Sequence, residues 1–342
     1  MLSSPTTTHP LVIAVVPAFN RCDRTLNFLR GFARISYPNK NVVICDDGST
    51  DNTYHNVLLN FPEVRVLRGD GNLWWSGGTN AAIHEALAMG ADYILTINDD
   101  VQMELDFLSE MVAVALRNPR YIVGCRIHRQ DDPDRVWSIG ASLVCKGAEL
   151  YGLNFCGQRW DDVPRPLTNP YPVTTMPGNG VLIPRAVFEE VGYYDQKYMP
   201  QYHADTDLVL RARKAGYQPV ISLNSVLYNH IPTEPLVNCR RDIVFHKKSD
   251  RYWKAVWATL RRHGPFGRRV YLLLMQYVPF FTPKWAVRCR GALRRFAGRK
   301  GTHANAAQAG AESELGMARN CGTGGSPVDC CTQRGNQCGP TN

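Results

Sequence analysis

The sequence contains no apolar run long enough to cross a bilayer, which takes about 20 consecutive apolar residues. Its first ten residues hold no lysine or arginine, so they lack the positively charged start of a secretory signal peptide. The apolar stretch Leu11–Val16 is too short for the core of such a peptide and is followed by Pro17. These absences predict a protein that stays in the cytoplasm.

A disulfide framework is also missing. The eleven cysteines are odd in number and scattered along the 342 residues, which favours a reducing compartment. The composition is otherwise ordinary for a globular protein, with 44% hydrophobic and 20% charged residues. The length suffices for one large domain with a sizeable core.

Acidic residues are scarce in one region only. Residues 240–300 hold 17 Lys/Arg and two Asp/Glu, a net charge of +15, whereas the rest of the chain has a net charge of −6. Because the body of the protein is mildly acidic and no nucleic-acid-binding motif is present, we expect no nucleic-acid partner.

The first half of the chain alternates short apolar runs with amphipathic stretches, a pattern typical of alternating strands and helices. This order predicts an α/β fold with a mostly parallel sheet, helices on both faces, and ligands at the carboxyl ends of the strands. The predicted strands are Leu11–Val16, Asn41–Cys45, Val64–Leu67 and Tyr93–Ile97, and the predicted helices are Thr25–Ile35, Asp51–Phe61, Thr79–Met89 and Glu104–Arg117.

The pattern weakens between Tyr121 and Pro177, where we expect irregular strands and loops. Three more elements follow, predicted as a strand, a helix and a strand: Val181–Ile183, Asp205–Ala215 and Ser225–Tyr228. We therefore predict an α/β domain over residues 1–238 and a basic, aromatic, largely helical segment over residues 239–300. Residues 301–342 lack apolar periodicity and are predicted to be a disordered tail.

Polar clusters follow three of the predicted strands, namely Pro17–Arg21, Asp46–Asp51 and Asn98–Asp100. The carboxyl ends of parallel strands meet at one edge of a sheet, so two groups of carboxylates should lie there. Carboxylates that lie close together repel unless a cation or a hydrogen-bonding ligand lies between them, and a hard divalent ion that also binds phosphate fits well. The alternative is that each Asp caps the next helix or turn, which we favour for Asp51.

The stretch Leu11–Gly216 resembles the family-two inverting glycosyltransferases of the GT-A fold, a Rossmann-like architecture. The resemblance depends on the order and spacing of four segments, Val16–Arg21, Cys45–Asp51, Asn98–Asp100 and Ala204–Leu208 together with Arg211. A fifth segment, Gly71–Asn80, resembles the subgroup that contains bacterial rhamnosyl- and galactofuranosyl-transferases.

The resemblance implies a nucleotide-sugar donor site. The loop after the first strand and the acidic pair after the second would hold the nucleoside, and an Asp carboxylate can accept the ring N–H of uracil or thymine, which favours UDP or dTDP. Asp99 would face the donor sugar or ribose. Glycines at the start of a helix let the backbone approach a ligand, although the two tryptophans beside them are equally consistent with core packing. The implied donor-binding residues are Pro17, Ala18, Asn20, Asp47, Trp75, Gly77, Asn80 and Asp99.

The resemblance also implies a divalent metal ion, Mn²⁺ or Mg²⁺. Asp100 would bind it, and Asn98, at a position where an Asp is common, would offer a neutral oxygen. His230 is either a further metal ligand, as in some relatives, or a structural histidine. An imidazole ligand favours Mn²⁺ over Mg²⁺.

Asp205 matches the catalytic base of the family, and the acid that often precedes it is replaced here by Ala204. The alternative is that Asp205 is only a helix N-cap. Asp207, two residues further along the helix, should point elsewhere. His203 either supports the base or is a surface histidine.

These residues predict transfer of a sugar to a hydroxyl of a glycan or lipid-linked acceptor, with inversion at the anomeric carbon. Two alternatives remain, a sugar nucleotidyltransferase and a non-catalytic nucleotide- or glycan-binding relative. The basic, aromatic segment 239–300 suits an anionic membrane surface at the inner face of the membrane, or a solvated helical cap on the domain, or, less well, RNA. Pro279 and Pro283 interrupt its apolar run.

Overall fold

The computed structural model describes residues 9–146, 149–231 and 240–281. Within these ranges the chain forms twelve strands and nine α-helices. The strands are β1 (Val12–Ala18), β2 (Lys40–Asp46), β3 (Arg65–Arg68), β4 (Tyr93–Thr96), β5 (Val101–Met103), β6 (Tyr121–Arg129), β7 (Val136–Ser138), β8 (Ala141–Lys146), β9 (Glu149–Leu153), β10 (Tyr171–Pro172), β11 (Val181–Pro184) and β12 (Gln218–Asn229). The helices are α1 (Cys22–Arg34), α2 (Thr53–Asn60), α3 (Trp74–Ala88), α4 (Phe107–Ala115), α5 (Arg185–Glu190), α6 (Ala204–Lys214), α7 (Arg240–Phe245), α8 (Trp253–His263) and α9 (Arg269–Phe281).

Ten of the strands form one sheet, and β8 and β9 form a separate antiparallel hairpin. The order across the sheet is β10-β12-β6-β11-β4-β1-β2-β3, with β5 beside β12 and β7 beside β6. Strands β1 to β4 are mutually parallel. β6 and β12 run in the same direction as these four, because β11 is antiparallel to both β4 and β6. The central sheet is therefore mostly parallel, as predicted.

Helices cover both faces of this sheet. Along β1, Val12, Ala14 and Val16 enter one hydrophobic core, and Ile13 and Val15 enter the other, since successive side chains of a strand point to opposite faces. Helices α1, α2 and α4 pack on the first face, and α3, α5, α6 and α8 pack on the second. The α/β prediction is confirmed, and the continuous apolar sequence of β1 is explained by burial on both sides.

The region after Tyr121 is more regular than its sequence predicts. β6 is nine residues long and lies between β12 and β11, well inside the sheet. Gly124, Arg126 and His128 interrupt its apolar pattern, so the sequence does not show the signature of a buried strand. β12 is also longer than predicted, and its pairing with β6 shifts register between Ser222 and Val226. The sequence is polar at that irregularity, so it does not predict the first half of β12.

The described part of the C-terminal segment is helical and packs on the α/β unit. Ala255 and Ala258 of α8 enter the core beneath α6. Val256 of α8 packs in a smaller cluster with Leu150 of the hairpin and Leu272 of α9. α8 of the predicted C-terminal segment thus packs on the α/β core. The tail predicted to be disordered, residues 301–342, lies outside the described residues.

None of the described helices combines the length and the apolar character that a membrane span requires.

Candidate active site

The loops after β1 and β2 are tied together by hydrogen bonds. The backbone N–H of Asn20 donates to Ser49 Oγ at 2.8 Å, and Asn20 Oδ1 accepts the N–H of Thr50 at 2.8 Å. Asn20 is exposed and has a positive φ of 51°. Pro17 and Ala18, the last two residues of β1, lie just before this loop. The predicted nucleoside-binding residues of the first loop therefore lie at the carboxyl edge of the sheet.

Asp51 belongs to the same pair of loops and stabilises two helix starts. One of its carboxylate oxygens accepts the N–H of Cys22, the first residue of α1, at 2.9 Å. The other accepts the N–H of Thr53, the first residue of α2, at 3.1 Å. These contacts match the capping role that we favoured for Asp51.

Asp47 shapes a third loop. Its two carboxylate oxygens accept the backbone N–H groups of Gly71 and Trp74, both at 2.9 Å. Only 6% of Asp47 is exposed, and a Cβ added to Gly69 would lie 2.5 Å from its Oδ1. Each oxygen keeps a second lone pair, so a base N–H can still be accepted. Asp47 nevertheless holds the segment before α3 in place whether or not a nucleotide is bound.

The segment Gly71–Asn80 places one tryptophan in the site. α3 begins at Trp74, earlier than predicted, with a positive φ of 59° at that residue. The indole N–H of Trp75 donates to Asn98 Oδ1 at 3.0 Å. Gly77 is buried, and a Cβ on it would lie 3.2 Å from Leu73 Cβ, so it serves close packing of the first helical turn.

Asn80 does not point into open space. Its Nδ2 donates to the carbonyl of Tyr194 at 2.9 Å, and its Oδ1 accepts the N–H of the same residue at 3.1 Å. Gln196 Oε1 accepts a second bond from Nδ2 at 3.0 Å. Asn80 therefore fixes the loop before α6 against α3. Its side-chain amide makes these contacts and is not directed toward the place predicted for the nucleotide-sugar donor.

The two carboxylates after β4, those of Asp99 and Asp100, both bind Arg21. No role was predicted for this arginine from the sequence. Arg21 Nη1 donates to Asp99 Oδ1 at 2.9 Å and to Asp100 Oδ2 at 3.1 Å. Asp99 is completely buried as a side chain and also accepts the hydroxyl of Thr25 at 2.9 Å. Burial raises the pKa of Asp99, and Arg21 opposes that shift. The Asp99 carboxylate thus faces the start of α1, and the structure does not bring it to the open side of the site.

Asp100 keeps one oxygen for a ligand. Its Oδ1 is buried and has no hydrogen-bond partner in the part of the chain that the structure describes. The backbone N–H of His230 donates to the carbonyl of Asp100 at 3.1 Å, which brings the exposed His230 to the same place. Asn98 Oδ1 is already engaged by Trp75. An orphaned carboxylate oxygen, on a residue whose backbone carbonyl is bonded by a histidine N–H, fits a divalent cation.

The protein supplies few ligands for such an ion. Over residues 9–146, 149–231 and 240–281, no three His, Cys, Asp or Glu residues are close enough to form a complete metal site. Asp100 and His230 would hold the cation, and oxygens of a diphosphate and of water would complete its coordination, as is usual for Mg²⁺.

Asp205 lies near the Trp75 ring, with Gly178 between them. Its Oδ2 accepts the N–H of Gly178 and its Oδ1 accepts the N–H of Thr206, both at 2.8 Å. A Cβ on Gly178 would lie 2.8 Å from Asp205 Cβ and 2.9 Å from the Trp75 ring, so only glycine fits between them. Burial raises the pKa of Asp205, and the two backbone N–H groups oppose the shift.

The capping alternative for Asp205 does not match the geometry. The N-cap of α6 is His203, with φ 72°, and Asp205 is the second residue of the helix. His203 is 4% exposed, so its description as a surface histidine is wrong. Its Nε2 lies 2.6 Å from the carbonyl of Asp250, and its ring meets Tyr151 edge-on. The hairpin and the loop before α8 bury it, and neither contact is visible in the sequence.

Asn179 connects the two halves of the site and was missed in the sequence. Its Oδ1 accepts the N–H of Asn98 at 3.0 Å, and its Nδ2 donates to Asn229 Oδ1 at 3.1 Å. The run Pro177–Gly180 before the short strand β11 was the available indication, because glycines around a polar residue mark close backbone approach. Through Asn179 and Gly178, the candidate base, the acidic loop and the end of β12 form one connected site.

A profile described as "Glycosyl transferase family 2" matches residues 13–192, which is more than half of the chain. The chain belongs to this family. Asp205 and its neighbours on α6, together with Asn229 and His230, lie beyond the match.

Relatives in the family agree with the general activity. A "N-acetylglucosaminyl-diphospho-decaprenol L-rhamnosyltransferase" of Mycobacterium tuberculosis (strain H37Rv) is 28% identical over 212 residues, 55% of this chain and 66% of that protein. An "Uncharacterized protein y4gI" of Sinorhizobium fredii is 28% identical over 233 residues, 65% of this chain and 24% of that protein. The chain thus spans less than two thirds of the length of either relative.

Solved structures share the fold. The mannosyltransferase PcManGT of Pyrobaculum calidifontis, in complex with GDP-Man and Mn²⁺, aligns with a TM-score of 0.51 at 17% identity and covers 90% of this chain and 77% of its own. GalNAc-T7 with UDP, GalNAc and Mn²⁺ aligns with a TM-score of 0.52 at 12% identity and covers 79% of this chain and 54% of its own. Together with the family match, these likenesses confirm the GT-A fold.

Proposed function

We propose that this glycosyltransferase moves a sugar from UDP or dTDP to a hydroxyl of a glycan or lipid-linked acceptor, with inversion at the anomeric carbon. The observation that carries the proposal is the placement of the Asp205 carboxylate. It lies at the carboxyl edge of the sheet, against Gly178 and Trp75, and Trp75 in turn contacts the Asn98–Asp100 loop. One carboxylate beside the acidic loop is the arrangement that a single direct displacement needs.

Asp205 is suited to take the proton of the acceptor hydroxyl. Each of its oxygens accepts one backbone N–H, so each has a lone pair left. Those two bonds also fix the orientation of the carboxylate. Because burial raises the pKa of Asp205, it is a stronger base than an exposed aspartate. The hydroxyl oxygen then attacks the anomeric carbon from the side opposite the nucleotide, and no covalent intermediate with the enzyme forms.

We propose Asp100 and His230 as the residues that hold a divalent cation. The support is the buried, unpartnered Oδ1 of Asp100 and the chemistry of its neighbours. PcManGT and GalNAc-T7, which share the fold, were solved with Mn²⁺. When bound, such an ion neutralises the charge of the departing diphosphate. Arg21, which already contacts both carboxylates of this loop, lies where it would contribute a second positive charge.

The donor nucleotide should contact the loops that Asn20 and Asp47 organise. Asn20 is exposed at this edge, and Asp47 retains lone pairs for the ring N–H of a uracil or thymine. Pro17 and Ala18 end β1 just before this loop, and Trp75 and Gly77 lie in the first turn of α3, so we propose that all four contact the donor. Asp99 and Asn80 would act indirectly, because their side chains are engaged by Arg21 and Tyr194.

For the acceptor, we propose a sugar linked to a prenyl phosphate or diphosphate. The support is the similarity to the mycobacterial rhamnosyltransferase, together with a Methanococcus voltae "UDP-N-acetylglucosamine--dolichyl-phosphate N-acetylglucosaminyltransferase" that is 26% identical over 156 residues. The first of these also supports rhamnosyl transfer and a place in cell-wall or polysaccharide synthesis.

A lipid-linked acceptor requires contact with a membrane, and we propose α9 and the turn before it as the contact surface on the cytoplasmic side. Phe266 is 87% exposed, and Val270, Tyr271 and Leu274 are more than half exposed. Arg261 and Arg268, both exposed, flank them. Exposed aromatic and aliphatic side chains beside arginines suit the headgroup region of an anionic leaflet.

A donor screen tests the proposed function. Purified protein with Mn²⁺ is incubated with UDP- and dTDP-sugars and a short-chain prenyl-diphosphate-linked N-acetylglucosamine, and the anomeric configuration of the product is read by NMR. We expect transfer from one donor with inverted configuration. A product of retained configuration, or nucleotide-sugar synthesis from a sugar phosphate and a nucleoside triphosphate, would contradict the proposal.

A further inference from the structure

A polar cavity of about 200 Å³ lies outside the residues that the mechanism uses. This volume far exceeds the ~15 Å³ that one water molecule needs. The cavity opens between the ends of β6 and β12 and the short helical turn at residues 160–162. Its polar lining consists chiefly of Arg126, His128, Asp134, Arg159, Asp161 and Tyr228.

The cavity lies on the face of the sheet that carries the candidate base. Val136, opposite His128 in the sheet, and Trp160 belong to the hydrophobic core that α6 covers. The loop that binds Asp205 through Gly178 packs directly on β6, where a Cβ on Gly124 would lie 2.8 Å from Met176 Sδ. Arg126 is two residues beyond Gly124 on this strand. The cavity wall and the loop that holds the base therefore pack on the same face of β6, two residues apart along the strand.

Two buried atoms in this wall lack partners in the described part of the chain. Arg126 Nε donates to no acceptor, although its guanidinium stacks 3.9 Å from the Trp160 ring centroid. His128 Nδ1 lies 2.5 Å from the carbonyl of Pro133, so this nitrogen carries the proton and Nε2 has a free lone pair. His128 Nε2 is likewise unpartnered. The wall thus offers one unused donor and one unused acceptor.

The chemistry of the lining selects a hydroxyl-bearing ligand. A sugar hydroxyl can accept from the Arg126 Nε–H and donate to His128 Nε2 at the same time, whereas a fully ionised phosphate has no proton to donate. The formal charges of the lining balance, since Arg126 and Arg159 face Asp134 and Asp161. A lining whose formal charges balance gives no net attraction for an anion. Burial of an unsatisfied donor and acceptor costs free energy that such a hydroxyl would recover.

We propose that this cavity is a sugar-binding subsite for a neutral residue of the acceptor, with Arg126 and His128 as its specificity-determining contacts. The inference rests on the proposed function, because a glycosyltransferase needs an acceptor sugar beside its base. A hydroxyl group of that sugar occupies the cavity and orients the reacting hydroxyl toward Asp205. Neither Arg126 nor His128 touches the reacting atoms.

Binding of isolated sugars tests the subsite without turnover. The protein, labelled with ¹³C-histidine, is titrated with N-acetylglucosamine, rhamnose, galactose, glucose and mannose, and separately with inorganic pyrophosphate in EDTA. We expect one sugar to shift the His128 ring signals saturably. Arg126→Gln should weaken that binding about 10- to 100-fold, the usual effect of losing a hydrogen bond to a charged group.

Two further variants keep the test interpretable. Tyr228→Phe changes the lining without removing a charge, in case Arg126→Gln fails to fold, and should weaken sugar binding less. Arg120→Gln removes an exposed arginine that pairs with Glu190 far from the cavity and should change nothing. The subsite is overturned if no sugar shifts His128, if Arg126→Gln binds sugar as the wild type does, or if pyrophosphate alone depends on Arg126.

Turnover separates the subsite from the proposed function. In the active enzyme, Arg126→Gln should raise the KM for the acceptor and leave the KM for the donor unchanged. Unchanged acceptor KM in an active variant overturns the subsite while the proposed function stands. Absence of transfer by the wild type overturns the proposed function, and the histidine titration still decides whether the cavity binds sugar.

Discussion

Asp205, Asp100 and Asp47 each keep a free position for a ligand, and the first two are the proposed base and metal ligand. Asp99 is closed off by Arg21 and Thr25, and Asp47 binds two backbone N–H groups of the loop before α3. Asp99 and Asp51 therefore shape loops, and Asp47 shapes a loop while it keeps a lone pair on each oxygen. At the residue scale, the proposed chemistry depends on Asp205 and Asp100. The role of each can be tested by replacing the aspartate with asparagine.

Asp205→Asn should fold normally and lose transfer. Asparagine keeps the shape and can still accept the N–H of Gly178, but it cannot take a proton. General-base catalysis contributes about 10²- to 10⁴-fold, so kcat should fall by that amount while UDP or dTDP affinity is retained. The acid limb of the wild-type pH–rate profile should lie above the usual range of aspartate, since burial raises the pKa of Asp205, and should disappear in the variant.

Asp23→Asn is the matched control for that variant. Asp23 is the second residue of α1, as Asp205 is of α6, and it is exposed. We expect wild-type rates from it. If Asp205→Asn retains a near-normal kcat, Asp205 is not the base.

Asp100→Asn should weaken the response to metal. The variant keeps an oxygen ligand but loses the negative charge that a divalent ion requires. We expect a much higher Mn²⁺ concentration for half-maximal nucleotide binding, with little change in nucleotide affinity in EDTA. Titration of Mn²⁺ by calorimetry at saturating UDP checks this, and identical Mn²⁺ curves for variant and wild type would remove Asp100 from the metal site.

At the scale of elements, α6 is fixed to α8 by a buried charge cluster. Asp207 is fully buried and binds Arg211 at 2.8 Å, Arg262 at 3.0 Å and His263 at 2.9 Å. Burial alone would raise the pKa of Asp207, but His263 and the two arginines outweigh it and lower the pKa to about 2. This cluster explains why Asp207 points away from the site and how α8 positions the helix that carries Asp205.

Asp207→Asn should destabilise the fold in a pH-dependent way. Removing one partner of a buried charge cluster costs about 3 kcal/mol. Because the folded pKa of Asp207 is lower than its unfolded value, its stabilisation is present above about pH 4 and is lost as the pH falls toward about 2. The difference in urea unfolding free energy between wild type and variant should therefore shrink from pH 7 to pH 3.

Glu189→Gln provides the comparison for that measurement. Glu189 pairs with Arg185 on the surface and is 59% exposed as a side chain, so its loss should cost at most about 1 kcal/mol. A pH-independent loss in Asp207→Asn would mean that packing, rather than charge, joins the two helices.

The sequence predicted those elements whose side-chain pattern is local. β1, β2 and β4 appear as apolar runs, and the loops after them were correctly located at one edge of the sheet. β6 was missed because Gly124, Arg126 and His128 face the cavity and the Met176 loop, so its polar positions reflect tertiary neighbours. The same holds for the site, since Gly178 meets Asp205 across 27 residues of chain and no local pattern indicates that contact.

At the scale of the whole molecule, the proposed donor and acceptor sites lie at one edge of the sheet, and α8 links them to the C-terminal helices. α8 binds α6 through Arg262 and His263, and it packs on α9 and the hairpin through Val256 and Leu260. α9 carries the exposed apolar residues. A surface that holds the protein at a membrane would thus be rigidly connected to Asp205 by way of α8.

That surface predicts salt-sensitive binding to anionic vesicles. The protein should sediment with phosphatidylglycerol vesicles and not with phosphatidylcholine vesicles, and added salt should release it, because basic residues near an anionic surface contribute about 1 kcal/mol each and are screened by ions.

Phe266→Ser with Leu274→Ser should reduce binding at low salt. Leu59→Ser, which removes a leucine that is 80% exposed on α2, should have no effect. Arg261→Gln with Arg268→Gln should lower the salt dependence. Equal binding to both kinds of vesicle, or equal binding by the Phe266 and Leu59 variants, would show that α9 is not the membrane contact.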